Sequence, residues 1–284
     1  MIIAINGNRH QEAHLEDIDR LVTTFLRRDD TVVMTDRFLD YLTDRIGGRF
    51  SIGIRRARMS EPPEADLALA IGGDGALLKT AAWIGSSAIP VAGINTGHLG
   101  FLAAFSFDRP DELERHLLGG DYEVQPRALL QVQTPSGLHF ALNEAAITRG
   151  ENASMVTVDT LINGHHSLTY KGDGLIVATP TGSTAYNLSV GGPILDPSMA
   201  GWVISPIAAH SLAIRPLVVN DTVALSLDVT LRSDNFLLTI DGKAFTLPAP
   251  CRLNLSKAPF PLNLVTVPGH CFVDTLRSKL GLGN

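Results

Sequence analysis

A single carboxylate stands among three glycines at residues 72–75, which read Gly-Gly-Asp-Gly. Glycine turns let backbone N–H groups come close to a phosphate chain, because no Cβ stands in the way. A carboxylate in such a loop repels phosphate. Asp74 therefore indicates a proton acceptor, or a metal contact, beside a transferring phosphoryl group. The alternative is an ordinary turn, in which Asp74 bonds its own backbone and the glycines supply positive φ.

The segments on either side of this loop bear on that choice. Residues 66–71 form a nearly continuous apolar run, typical of a strand buried on both faces of a parallel sheet. Residues 76–83 are mostly good helix formers. A glycine loop between such a strand and a helix is a common phosphate-binding arrangement. With these flanks, the phosphate loop and the plain turn are about equally supported.

Other segments rich in Gly, Pro, Asn, Ser and Thr also follow apolar strands, where open α/β sheets bind ligands. They are residues 93–102, 142–144, 173–189 and 240–242. Each of them, taken alone, also has a structural explanation as a cap, a turn or the end of a hairpin strand. Residues 179–186 are the hardest to explain in that way, because Ser183 and Thr184 supply donors and Tyr186 offers a ring face to a purine.

Composition limits the class of protein. The chain has 284 residues, of which 45% are hydrophobic and 18% charged, as in soluble globular proteins. Its net charge of −6 argues against a nucleic-acid or anionic-membrane surface. No apolar run approaches the ~20 residues of a membrane span. Cys251 and Cys271 show neither metal-ligand spacing nor a disulfide framework, so we expect a cytoplasmic protein with reduced cysteines.

Strand and helix patterns alternate over the first hundred residues and then give way to strands. The predicted strands of the first part are 2–6, 31–35, 67–71 and 91–94, and its predicted helices are 12–28 and 38–46. Such alternation predicts a parallel sheet flanked by helices. We therefore predict an α/β domain over 1–119 and a β-rich domain over 120–255. A tail over 256–284, with a helix at 272–280, is expected to return to the first domain.

Taken together, these segments resemble the NAD kinase family, the ATP- or polyphosphate-dependent NAD kinases. The matching residues are 72–75, 93–102, 142–144, 173–186, 191–194, 205–207, 210–212, 215–216 and 241–242. They occur in the family's order and cover most of the chain between residues 66 and 245. The glycine tetrapeptide is shared with diacylglycerol, sphingosine and phosphofructokinase relatives. The segment 173–194 is far more specific.

The resemblance implies transfer of the terminal phosphate of ATP to the 2′-hydroxyl of the adenosine ribose of NAD, giving NADP. Asp74 is implied to accept the proton of that hydroxyl, as the general base, and Gly72, Gly73 and Gly75 to form the phosphate loop. The residues implied to bind NAD are Asp74, Gly75, Lys79, Asn143, Glu144, Lys171, Asp173, Thr184, Ala185, Tyr186, Ser189 and Ala208.

Within that set the resemblance implies separate tasks. Asn143 and Glu144 hold the dinucleotide, and Asp173 contacts its nicotinamide end or a ribose. The adenosine is enclosed by Thr184, Ala185, Tyr186 and Ser189, with Ala208 in the wall of the site. Lys79 and Lys171 can add positive charge near a pyrophosphate, and a solvated surface position is the alternative for both.

The resemblance also implies a divalent metal, Mg²⁺ carried with ATP, and the residues form no metal site of their own. It places the active site in a crevice between the α/β domain and the β-rich, dinucleotide-binding domain. We expect a homo-oligomer, a homotetramer whose neighbouring subunits help to form the dinucleotide site. NAD and ATP, or polyphosphate in place of ATP, are the expected ligands, and neither a nucleic acid nor a membrane is an expected partner.

Three positions depart from the family's pattern. Ala76 stands where threonine is frequent, Lys243 where glutamine is common, and residues 208–210 replace a version that contains proline. Two other functions stay open at this point. A lipid or sugar kinase would share only the glycine loop, and a non-catalytic dinucleotide sensor would share the fold. Asp74 argues against the sensor, because a carboxylate beside the phosphates contributes little to a protein that only binds the dinucleotide.

Overall fold

The structure is a computed structural model that describes residues 1–97, 100–150 and 154–281. It consists of two compact units. The first contains Met1–Pro126 and Leu262–Asn284, and the second contains Arg127–Pro261. The chain thus leaves the first unit after Pro126, somewhat beyond the Gly119-Gly120 position chosen from the sequence, because the intervening residues still belong to the sheet of the first unit.

The first unit is built around an eight-stranded sheet flanked by helices. Its elements in order are β1 Ile2–Gly7, α1 Leu15–Arg27, β2 Thr31–Thr35, α2 Asp36–Ile46, β3 Ile54–Ala57, β4 Leu67–Ile71, α3 Asp74–Ile84, β5 Val91–Asn95, β6 Phe105–Ser106, α4 Pro110–Glu112 and β7 Glu123–Arg127. Strand β1 pairs in parallel with β2 and β4, β2 with β3, and β5 with β4 and β6. The predicted parallel α/β arrangement is confirmed.

The central strands are buried on both faces, as their continuous apolar sequences predict. Every residue of β4 and β5 is buried. Helix α1 turns Ile18, Leu21, Val22 and Phe25 toward this core, in the spacing of one helical face. A Cβ on Gly93 of β5 would lie 2.7 Å from Cα of Ala103, so only glycine permits this approach of the two segments.

A buried polar network fixes α3 on the sheet. The side-chain Nδ2 of Asn6 on β1 donates to Oγ1 of Thr80 on α3 over 3.1 Å. The hydroxyl of Thr35 on β2 donates to Oδ1 of Asn6 over 3.0 Å. Buried polar groups are costly unless they are paired, so this chain of bonds specifies where α3 sits relative to β1 and β2.

The second unit consists of two six-stranded antiparallel sheets. Its elements are β8 Leu130–Thr134, β9 Gly137–Ala141, β10 Glu144–Arg149, β11 Val156–Ile162, β12 His165–Gly172, β13 Gly174–Ala178, α5 Tyr186–Ser189, β14 Gly201–Ile207, β15 Leu217–Asn220, β16 Leu225–Thr230, β17 Asn235–Ile240, β18 Lys243–Pro248 and β19 Cys251–Lys257. One sheet has the order β15-β14-β13-β10-β17-β18, and the other β12-β11-β16-β19-β8-β9. The β-rich second part predicted from the sequence is confirmed.

Both sheets contribute side chains to one core. In β11 and β16 buried residues alternate with partly exposed ones, which is the pattern of a strand with one face on a core. Trp202, Tyr170 and Phe236 are the largest side chains of this core. Strand β13 is buried throughout, because Leu195 packs with Ile176 in a smaller cluster on the other face of its sheet.

After the second unit the chain returns to the first sheet. Strand β20, Leu262–Thr266, lies between β5 and β7 and runs parallel to β5. Helix α6, Phe272–Leu280, follows and ends at Gly281, which has φ +62°. Across the described part of the chain, no helix combines the length and the apolar character needed to span a bilayer.

Candidate active site

Asp74 is the first residue of α3 and follows β4 through two glycines. Gly72 has φ +139°, and a Cβ there would lie 2.9 Å from both Cβ of Ala76 and Nδ2 of Asn8. No described residue lies within 4 Å of a Cβ placed on Gly73 or Gly75, so the described part of the chain leaves the main chain open on that side. The loop therefore presents the N-terminus of a helix together with a carboxylate.

Two consecutive backbone amides hold the Asp74 carboxylate. The N–H of Phe101 donates to Oδ2 over 2.8 Å, and the N–H of Leu102 donates to Oδ1 over 3.1 Å. Gly100 lies directly against the same group, since a Cβ on it would overlap both carboxylate oxygens. Residues 93–102 were noted in the sequence without this role, and residues 98 and 99 of that segment lie outside the described residues.

A second carboxylate is held in the same manner in the other unit. Asp241, in the turn between β17 and β18, accepts the N–H groups of three consecutive residues. The distances are 2.6 Å from Leu142, 2.8 Å from Asn143 and 3.1 Å from Glu144. The turn itself needs positive φ, which is +46° at Asp241 and +81° at Gly242. Asp241 thus fixes the backbone of the two residues predicted to hold a dinucleotide.

Glu144 has a carboxyl group without a full set of partners. Its side chain is buried, and Oε2 has no hydrogen-bond partner among the described residues. The N–H of Tyr186 donates to the carboxylate. Burial, and next the charge of Asp241, raise the pKa of Glu144 to about 7. A buried carboxyl oxygen without a partner is expected to meet a ligand.

The segment from Thr179 to Asn187 packs on this pair. The hydroxyl of Thr179 donates to the carbonyl of Leu142 over 2.5 Å. A Cβ on Gly182 would overlap the backbone of Asn143, so glycine is required at this contact. Asn187, completely buried, donates to the carbonyl of Ser183 over 2.9 Å. These bonds bring Asn143, Glu144 and Tyr186 together.

An open cavity of about 600 Å³ lies beside Tyr186 in the second unit. Its walls include Asp173, Arg149, Ile207 and Leu237. Nε of Arg149 donates to Oδ1 of Asp173 over 2.7 Å. The volume is in the range of small-ligand sites, and an aromatic ring, an ion pair and two aliphatic side chains line it. The sequence indicated Asp173 and Tyr186 but not Arg149.

The remaining predicted residues differ in their accessibility. Thr184 and Ala185 are partly buried, whereas Lys79, Lys171, Ser189 and Ala208 are exposed. The structure gives neither lysine an ion pair, among the residues that it describes. Within the same residues there is no group of three or more His, Cys, Asp or Glu side chains that could hold a metal ion.

Comparison with known proteins defines the class of the chain. The family model for the ATP-NAD kinase N-terminal domain matches residues 20–122, and the model for the ATP-NAD kinase C-terminal domain matches residues 142–267. The two models account for most of the chain, so the protein belongs to the NAD kinase family. An NAD kinase of Porphyromonas gingivalis is 41% identical over 283 residues, which are 99% of this chain and 98% of that protein.

Solved structures show the same fold. A yeast NADH kinase complexed with NADH superimposes with a TM-score of 0.88 at 21% identity, over 100% of this chain and 88% of that chain. An NAD kinase from Archaeoglobus fulgidus in complex with ATP gives a TM-score of 0.72 at 23% identity, over 99% of both chains. The family resemblance found in the sequence is confirmed.

The contact between Gly100 and Asp74 predicts the effect of a single methyl group. We expect Gly100→Ala to displace the carboxylate from the amides of Phe101 and Leu102 and to lower the free energy of unfolding by about 1–3 kcal/mol. Urea unfolding measures this. Gly97→Ala is the control, since a Cβ at Gly97 meets none of the described residues within 4 Å.

The same substitution in an Asp74→Ala background isolates the contact. Without the carboxylate there is room for the methyl group, so the cost of Gly100→Ala should shrink there. An equal cost in both backgrounds would show that the carboxylate is not the group that Gly100 accommodates.

The environment of Glu144 predicts a pH-dependent stability. Folding raises its pKa from 4.5 to about 7, so the folded state binds more protons than the unfolded state between those values. The contribution of Glu144 to stability therefore falls as the pH rises through this window. We expect Glu144→Gln to gain stability relative to the parent protein, by up to ~3 kcal/mol at pH 8 and little at pH 4.5.

Urea unfolding between pH 4.5 and 8 gives this difference directly. Glu123→Gln, which neutralises an exposed glutamate on β7, is the control. A difference between Glu144→Gln and the parent that does not change with pH would mean that folding leaves the pKa of Glu144 unshifted.

Proposed function

We propose that this chain transfers the terminal phosphate of ATP to the 2′-hydroxyl of the adenosine ribose of NAD, and so makes NADP. The observation that carries the proposal is the sequence identity of 41%, over 99% of this chain, to a protein named NAD kinase. In this chain Asp74 stands in a glycine loop at the start of α3. A lipid or sugar kinase would need only that loop. The segment from Thr179 to Asn187, which packs on Asn143 and Glu144, supports a dinucleotide as the phosphate acceptor instead.

Asp74 is the general base of the proposed reaction. A ribose hydroxyl is a weak nucleophile, and a carboxylate within hydrogen-bond reach can accept its proton while the phosphoryl group moves. The amides of Phe101 and Leu102 hold the carboxylate oxygens in place, so the base need not be ordered when the substrate binds. Among the described residues, Gly73 and Gly75 leave the backbone of the loop accessible to phosphate, and Gly72 supplies the positive φ of the turn before them.

The second unit is proposed to bind the dinucleotide. Asn143 and Glu144, positioned by Asp241, bind its hydroxyl or amide groups. The cavity beside Tyr186 accepts a ring and a ribose, with Asp173 as an acceptor for hydroxyl groups. Thr184, Ala185, Ser189 and Ala208 complete the adenosine pocket.

The divalent cation, Mg²⁺, is proposed to arrive with ATP. Magnesium retains several waters and is usually bound by substrate phosphates and one or two carboxylates, so it requires no cage of protein ligands. When bound, it neutralises charge on the phosphates. The exposed side chains of Lys79 and Lys171 can approach a pyrophosphate, and this role is part of the proposal.

Three broader properties belong to the same proposal and are supported by the family alone. They are a homotetramer in which neighbouring subunits complete the dinucleotide site, a cytoplasmic location, and the use of polyphosphate in place of ATP. Light scattering on the 30.4 kDa chain would measure the first.

A coupled assay tests the activity. Protein incubated with Mg²⁺, ATP and NAD should yield NADP, detected by a dehydrogenase that accepts only NADP. Formation of ADP with lipid or sugar acceptors, and none with NAD, would assign the chain to another kinase class.

Asp74→Asn tests the base. The change keeps size and one acceptor oxygen but removes the proton-accepting charge. We expect kcat to fall by about 10²-fold or more while the affinity for NAD stays within a few-fold. Asp44→Asn, at an exposed position on α2, is the matched control. Retention of kcat in Asp74→Asn would remove Asp74 from the role of base.

A further inference from the structure

Lys279 is a partly buried lysine to which the proposed reaction assigns no role. It lies in the last turn of α6, which belongs to the same compact unit as Asp74. Its Nζ is shielded from solvent and has no hydrogen-bond partner among the residues that the structure describes. An ammonium group in that position has lost its water without gaining an acceptor, which is costly.

The charge that acts on Lys279 is that of Asp74. Burial lowers the pKa of Lys279, and Asp74 is the group that opposes this by raising it. The two side chains form no direct bond in the described structure, and the oxygens of Asp74 accept the amides of Phe101 and Leu102. Lys279 therefore lies in the electrostatic field of the proposed base while its own donors remain available.

The position of Lys279 in α6 does not by itself explain its burial. A cation in the last turn of a helix interacts favourably with the helix dipole, but it does so while exposed to water. Arg277, in the same turn, is exposed, and its Nη1 lies 3.5 Å from Oδ1 of Asp274. One cation of this turn thus behaves as a surface group, and the other holds an unused ammonium near Asp74.

We propose that Lys279 is a catalytic residue that binds the oxygens of the transferred phosphoryl group. This rests on the proposed function. In the transfer, the 2′-oxygen forms a bond to the terminal phosphorus of ATP, the bond from that phosphorus to the bridging oxygen breaks, and ADP leaves with the electron pair. Asp74 takes the hydroxyl proton. Lys279 keeps its protons and offsets the charge spread over the three equatorial oxygens.

The same placement makes Lys279 a contact for the product. NADP carries at its 2′-position the phosphate that NAD lacks, and that phosphate forms beside Asp74. The ammonium of Lys279 supplies a charge-assisted hydrogen bond to it. Lys279 therefore contributes to the preference for NADP over NAD in binding, as well as to turnover.

The test compares Lys279→Met and Lys279→Arg with Arg277→Met, which removes an exposed cation from the same turn. Lys279→Met should lower kcat for NADP formation by about 10²-fold or more, with KM for NAD changed less than about threefold. Lys279→Arg should recover part of kcat, and Arg277→Met should match the parent. Retention of parental kcat by Lys279→Met overturns the proposal.

Two further readouts separate catalysis from structure. Because an unpaired buried charge is removed, Lys279→Met should melt at or above the temperature of the parent protein. Calorimetric titration should show that NADP binding weakens more than NAD binding. A lower melting temperature with equal losses for both ligands would make Lys279 a structural residue and would contradict the proposal. Lys279→Gln provides the same comparison if the methionine variant does not fold.

The parent protein, measured in the same series, distinguishes failure of the proposed function from failure of the proposed role of Lys279. If it makes no NADP from NAD and ATP, the proposed function is wrong. If it makes NADP and Lys279→Met makes NADP equally well, the function stands and the role of Lys279 does not.

Discussion

Carboxylates held by consecutive backbone amides are the interaction on which the candidate residues of each unit depend. Asp74 accepts the amides of Phe101 and Leu102, and Asp241 accepts those of residues 142–144. A carboxylate withdrawn from water needs donors for its lone pairs, and backbone N–H groups supply them without side-chain freedom. Each bond therefore fixes a charge and a loop at the same time. The bonds of Asp74 also require that Gly100 has no Cβ, because a Cβ there would overlap the carboxylate.

We assign ligands to two of the buried polar atoms that lack a hydrogen-bond partner among the described residues. Oε2 of Glu144 and Nζ of Lys279 are buried and have no hydrogen-bond partner in the described parts of the chain. Their charges are opposite in sign, and burial disfavours the ionised form of both, raising the pKa of Glu144 and lowering that of Lys279. A hydroxyl-bearing ligand suits the first group and a phosphate the second, in agreement with the proposed substrates.

Much of the fold was predictable from the periodicity of apolar residues in the sequence. The apolar run at 66–71 predicted a strand buried on both faces, and β4 is one. The helix predicted at 272–280 is α6, which has those bounds and is followed by Gly281. Other features depend on contacts between residues far apart in sequence. The pairing of Asp241 with residues 142–144 spans nearly a hundred positions, and Arg149 meets Asp173 only because β10 and β13 are neighbours. Lys279 carried no sequence signal at all, since it has the spacing of an ordinary surface lysine.

The most direct measurement is a crystal structure of this protein with NAD bound. We expect the 2′-oxygen of the adenosine ribose to lie within about 3.2 Å of a carboxylate oxygen of Asp74. A ribose hydroxyl other than the 2′ group at Asp74, or a 2′-oxygen more than about 5 Å from that carboxylate, would contradict the assignment of Asp74 as the base for this hydroxyl.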